Sequence, residues 1–164
     1  MSTKLPLVRF SRLLTVVVVA TVVALLNGAL LAVEGGKAQY VGGTLKGVKE
    51  KAEGRLDTKS ESQITFDAGK DGKVALPYSA ITSLEYGQKA GRHVGVLFSK
   101  KRSHYLTITY KDDAGKEQAG VFELGKDIVR PTLKIVEVRT GKAIEFQDAE
   151  ACKQYKTPKE CESK

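Results

Sequence analysis

From Leu13 to Ala32 the chain carries no charge: the run LLTVVVVATVVALLNGALLA is built almost entirely of Val, Leu and Ala. As a helix it would span about 30 Å, the thickness of a bilayer's hydrocarbon core. Lys4, Arg9 and Arg12 precede it with no acid among them. Cations followed by an uncharged apolar run are the signature of a secretory signal or signal anchor, here covering residues 1–32. Length favours retention as an anchor, because cleaved signals usually have apolar stretches of about 7 to 15 residues. The small residues near Ala32 and at Gly36-Lys37-Ala38 favour cleavage, although Leu30 is bulky for the third position before a cut at Ala32. In both cases the cations hold the N-terminus in the cytoplasm, and the rest of the chain is expected outside it. It would be periplasmic or secreted if cleaved, and held to the membrane through residues 13–32 if not.

About 130 residues then remain to fold, enough for one domain with one core. Without the three leader cations the chain has 24 basic residues against 19 acidic, an excess of five. This balance is too dilute for a nucleic-acid binder, and export argues against that partner as well.

Residues 33–38 read as a spacer, feeding a first strand at about Gln39 to Leu45 within a domain expected to span residues 39–146. Short alternating runs follow. Ile64 and Phe66 flank Thr65, Val74 and Leu76 flank Ala75, and Leu106, Ile108 and Tyr110 face opposite Tyr105, Thr107 and Thr109. This period of two is that of strands with one buried face. Asp112-Asp113-Ala114-Gly115 supplies a turn into a partner strand ending at Leu124, and the two aspartates are best read as turn formers.

The period changes after residue 127. Ile128, Val129, Leu133, Ile135 and Val136 lie within about 160° of one helical face, with Arg130, Lys134 and Glu137 on the other. A single amphipathic helix is expected near residues 127–140, capped by Asp127, tolerating Pro131 in its first turn and ended by Gly141. Its apolar stripe would cover an opening of the sheet. Ala143 to Phe146 can add a strand, and residues 147–164 read as a polar tail.

The run Val74-Ala75-Leu76-Pro77-Tyr78-Ser79-Ala80-Ile81-Thr82-Ser83-Leu84-Glu85 resembles a pattern in bacterial and GRAM-like members of the PH-like superfold, in which a strand meets a Pro-Tyr turn and apolar positions three apart re-enter the core. The stretches Phe98 to Leu106 and Phe122 to Gly125 are similar to exported bacterial proteins of this kind. The resemblance covers residues 39 to about 141. It implies a mainly β fold with one helix: a small antiparallel β-barrel or sandwich of about seven strands, capped by the amphipathic helix. Members of the superfold bind lipids, peptides or proteins, so the fold does not choose among functions.

Lys46, Lys49, Lys51 and Arg55 fall between the first two expected strands, where lipid-binding members of the superfold often hold a phosphorylated headgroup. Lys100, Lys101 and Arg102 form a second basic group that could touch anionic lipid. Both are read first as solvated turns, because short charged clusters are ordinary surface features. His93 and His104 are read as surface positions, since their spacing places no two imidazoles on one helical face for a metal. No catalytic residue is assigned, and no motif asks for a metal or cofactor.

Cys152 and Cys161 are the two cysteines, and export favours their pairing. On a continuous helix their Cα atoms would be about 13 Å apart, so Thr157-Pro158 must break the chain if they pair. The alternative is two free thiols on a disordered tail. The functional expectation is a non-enzymatic envelope module that binds a protein partner or an anionic membrane surface. A carrier of a small apolar ligand and a hydrolytic enzyme are the alternatives.

Overall fold

The computed structural model describes residues 35–88, 103–157 and 161. The expected leader, His93, the group Lys100, Lys101 and Arg102, and Pro158 lie outside the described residues. Among the described residues no helix is long and apolar enough to cross a membrane.

Eight strands form one open sheet: β1 (Gly36–Gly43), β2 (Glu53–Asp57), β3 (Gln63–Asp67), β4 (Lys73–Pro77), β5 (Ile81–Gly87), β6 (His104–Lys111), β7 (Glu117–Leu124) and β8 (Ile144–Phe146). Among the described residues two α-helices follow, α1 (Val129–Thr140) and α2 (Ala149–Tyr155). The order across the sheet is β4-β3-β2-β1-β7-β6-β5-β8. Neighbours from β4 to β5 are antiparallel, and β1 bends through a bulge between Tyr40 and Gly42. β8 runs parallel to β5, so the sheet is mixed.

The expected hairpin is β6–β7, with eight paired positions from His104↔Leu124 to Lys111↔Glu117. Asp112 makes its turn: Oδ1 accepts from the Ala114 and Lys116 amides at 3.1 and 2.9 Å. The Pro-Tyr corner also forms. β4 ends at Pro77, Tyr78 is buried in a 3-10 turn, and Ile81 and Leu84 return to the core.

The core packs Tyr40 and Phe66 against Phe122, with ring centroids 5.7 and 5.3 Å apart, among Leu56, Ile64, Leu106 and Ile108. α1 adds Val129, Leu133 and Val136 to this core, while Lys134 stays exposed. Burying such side chains stabilises by about 1.5 to 3 kcal/mol each. Gly141 ends the helix at φ 66°, its amide donating to the Glu137 carbonyl. Arg139 ties the last turn to the sheet: its Nη1 donates to the Thr58 and Ser60 carbonyls, and its guanidinium lies over the Tyr78 ring.

Four expectations differ from the structure. β1 begins at Gly36, inside the expected spacer, because Ile128 packs directly over that glycine; a Cβ there would lie 2.0 Å from Ile128 Cγ2. Asp127 does not cap α1. The cap position is Ile128, with no side-chain bond, and its amide closes a turn onto the Gly125 carbonyl at 3.1 Å. The sheet is open and mixed rather than a closed antiparallel barrel: the strand expected at Ala143 to Phe146 forms as β8, and the chain leaving α1 brings it to the free edge of β5 in parallel. Among the described residues there are two helices where the folded domain is expected to have one. The start of the expected polar tail folds as α2, where Asp148 Oδ1 accepts from the Ala151 amide at 2.8 Å and Ala151 and Cys152 are buried.

Candidate functional site

The first basic group does not converge. Lys46, Lys49 and Lys51 lie on the connection from β1 to β2, which is pinned by a Val48↔Gly72 bridge and by the Lys49 amide donating to the Asp71 carbonyl. Lys49 Nζ sits 3.0 Å from Asp71 Oδ1. Lys51 has φ 61°, and its carbonyl accepts from the Gln39 side chain at 3.1 Å. Lys46 faces Asp112, whose carboxyl is held below the usual carboxylate range by the Gln118 amide first, then by backbone amides, with Lys46 adding its charge. Arg55 belongs elsewhere. It stands across from Lys37 on β1 and Asp67 on β3, and it lines a surface depression of about 470 Å³ with Asp57, Lys59 and Lys73. Lys73 and Asp67 pair there at 2.8 Å. Lys49 and Lys46 therefore meet acids from two different turns, Arg55 lies apart beside Asp57 and Asp67, and Lys51 meets the Gln39 side chain with its carbonyl.

His104 is not a plain surface residue. As the first residue of β6 it is half-buried, with Nδ1 2.6 Å from the Tyr86 hydroxyl and the two rings stacked 6.2 Å apart. Burial pushes Tyr86 up to about 12. Burial and then the Lys126 charge hold His104 below its ordinary value, against a smaller opposing effect of Glu123. A tyrosine hydrogen-bonded to an imidazole can hold a proton, but Tyr86 is fully buried, with Phe146 edge-on to its ring. The pair joins β5 to β6. Among the described residues no group of His, Cys, Asp or Glu has the makings of a metal site.

Open concave space lies instead around α2. β8 and α2 dock as a unit: Phe146 packs against Tyr86 and stacks on Tyr155 at 6.0 Å, and Arg130 Nε donates to the Gln154 carbonyl at 3.0 Å. Cys152 and Cys161 are joined by a disulfide with Cα atoms 5.8 Å apart. On one side of α2 a groove of about 570 Å³ runs past Ser83, Ile144, Glu145 and the disulfide. On the other, a groove of about 540 Å³ separates α2 from α1. Arg130, Lys134 and Glu137 line it from α1, and Tyr155 and Lys156 from the far side. Tyr155 donates to Glu137 Oε2 at 2.9 Å, and its hydroxyl is raised by burial and by that carboxylate. Lys156 Nζ lies 3.9 Å from Glu137 Oε1.

The sequence reading missed both grooves. The signals were there in part: Asp148 before a short run that includes Ala149 and Ala151, and Arg130, Lys134 and Val138 at helical spacing on the solvent face of α1. Inside the sheet, the space between Leu56, Ile64, Phe66, Ile108 and Phe122 is too small for a water molecule. No protein-family model matches the chain, and no curated protein matches it in sequence.

Proposed function

We propose that this protein is a non-enzymatic module of the cell envelope that binds a protein partner on its outer surface, on a PH-like scaffold. The observation that carries the reading is the pair of grooves flanking α2, each within the size range of binding clefts, one lined by α1 and the end of α2 and the other joining β5 to the C-terminal segment. The extracytoplasmic placement rests on the cationic and apolar pattern of residues 1–32. The scaffold assignment is supported by the strand order: β1 to β7 form a meander whose ends pair through β1 and β7, which parts between β4 and β5, and which is followed by a helix over the core. An anionic membrane surface is the second reading, favoured by the basic excess of the folded part. The carrier reading gains no support from the described residues, where the space between Leu56, Ile64, Phe66, Ile108 and Phe122 is too small for a water molecule.

The test is site-specific photocrosslinking in intact cells, with the reactive residue placed at Val138 beside one groove or at Glu145 beside the other. One protein captured from either position, and not from the exposed Lys70 on the β3–β4 turn, is the expected result. Crosslinks to lipid alone would favour the membrane reading, and capture with equal yield from all three positions would remove the case for the grooves. A reporter fused after residue 150 checks the placement: it should be accessible to protease added to spheroplasts.

A further inference from the structure

We infer that the groove between α1 and α2 is a docking site for an acidic peptide segment; this rests on the proposed binding function and names the chemistry of its partner. The argument is one of charge and shape. Arg130 and Lys134 stand one turn apart on α1, and Lys156 faces them from the end of α2. The single acid lining the groove, Glu137, is already engaged on both oxygens, by the Tyr155 hydroxyl and the Lys156 ammonium. The groove therefore presents an excess of two positive charges. Arg130 uses Nε on the Gln154 carbonyl, which orients its guanidinium and leaves the terminal nitrogens to meet a carboxylate as a fork.

One turn beyond Lys134 lies Val138, 54 % exposed and the one large apolar side chain in the open among the described residues. Pro131 and the Tyr155 ring add apolar surface to the same groove. The matching ligand carries two carboxylates about 5 to 6 Å apart, to meet Arg130 and Lys134, and an apolar residue beyond them to cover Val138. Some cations elsewhere are paired with acids, Lys49 with Asp71 and Lys73 with Asp67. A concave site between two helices fits a segment of chain better than it fits a flat bilayer.

The experiment uses the full chain in a non-ionic detergent, titrated with a fluorescein-labelled oligo-glutamate peptide ending in leucine and followed by anisotropy. Saturable binding that weakens with salt is expected. The double reversal Arg130→Glu/Lys134→Glu should weaken it about tenfold or more, as should a large part of that loss in Lys134→Glu alone, which leaves the Arg130 contact to α2 in place. Lys46→Glu/Lys49→Glu, an equal change of net charge at a distant turn, should leave it unchanged. No binding, or equal weakening by the two double reversals, would overturn the inference. So would binding through Arg130 and Lys134 to phosphatidylglycerol vesicles without binding to the peptide. Should the peptide fail while a protein is still crosslinked from Val138 in cells, the inference falls and the binding function stands.

Discussion

Arg139 is the side chain whose loss the fold should feel most for its exposure. It is only partly buried, yet it joins three segments: the last turn of α1, the β2–β3 turn through the Thr58 and Ser60 carbonyls, and the Pro-Tyr corner through Tyr78. Its guanidinium carbon lies 5.6 Å from the centre of the Tyr78 ring, and it helps keep the buried Tyr78 hydroxyl from rising further. A hydrogen bond from a charged donor contributes about 1.5 to 3 kcal/mol, and solvent reduces that for a group of this exposure. Two such bonds and one ring contact put Arg139→Ala at about 2 to 4 kcal/mol. In a domain of this size that is a fall in Tm of roughly 8 to 16 °C. Arg139→Lys keeps a charge and several donors but loses the planar group over Tyr78, so it should fall between wild type and the alanine variant. Lys134→Ala, on the exposed face of the same helix, should cost under about 0.5 kcal/mol. Urea unfolding of the full chain followed by circular dichroism measures all three. If Arg139→Ala costs no more than Lys134→Ala, or Arg139→Lys matches wild type, the clamp is not what holds this end of α1.

Thr132 is fully buried on the apolar face of α1, and its Oγ1 has no hydrogen-bond partner; Thr132→Val keeps the shape, removes that unpaired hydroxyl and should stabilise by about 1 kcal/mol in the same titration, whereas destabilisation would mean the hydroxyl is bonded. His104 is held below its ordinary 6.5, so the unfolded chain binds the proton more readily. The stability contributed by the neutral ring is complete above that value and is lost as pH falls through it toward the lower folded value. Chemical unfolding between pH 8 and 5 should show this loss in wild type and less of it in His104→Gln, and parallel curves would refute it. Reducing the Cys152–Cys161 disulfide releases a ten-residue loop constraint that contributes roughly 2 to 3 kcal/mol to its own segment. Hydrogen exchange should then speed up in α2 and stay unchanged in β6 and β7; exchange gained in the hairpin would show that the bond supports the whole fold.

What the sequence disclosed follows from which contacts are local. The β6–β7 hairpin is legible because its alternation, its Asp-Gly turn and its register all lie within about twenty residues of chain. α1 is legible because Leu133 and Val136 repeat at helical spacing, although Thr132 hides in the same stripe as a polar letter. The start of β1 is not legible: Gly35-Gly36 has the composition of a linker, and the reason for Gly36 is Ile128, far along the chain. α2 is seven residues of mixed polar and small apolar sequence, too short to be stable alone, and it docks against Phe146, Glu137 and Arg130.

The candidate site shows the same division more sharply, through the signs of its charges. In sequence, Lys46, Lys49, Lys51 and Arg55 form a basic cluster, and Arg130, Lys134 and Glu137 form an ordinary mixed helix face. Folding reverses their weight. Asp71 and Asp112 arrive from other turns and offset the first group, while Arg55 leaves it for another part of the surface. On α1 the opposite happens, because Tyr155 and Lys156 arrive from the C-terminal segment and take up the one carboxylate that would have balanced Arg130 and Lys134. A cation count along the chain cannot see either event, since each depends on an acid or a hydroxyl brought in by a distant element. The net charge of a surface here is decided by tertiary partners, and the groove gains its excess because Lys156 joins Arg130 and Lys134 around the one carboxylate of Glu137.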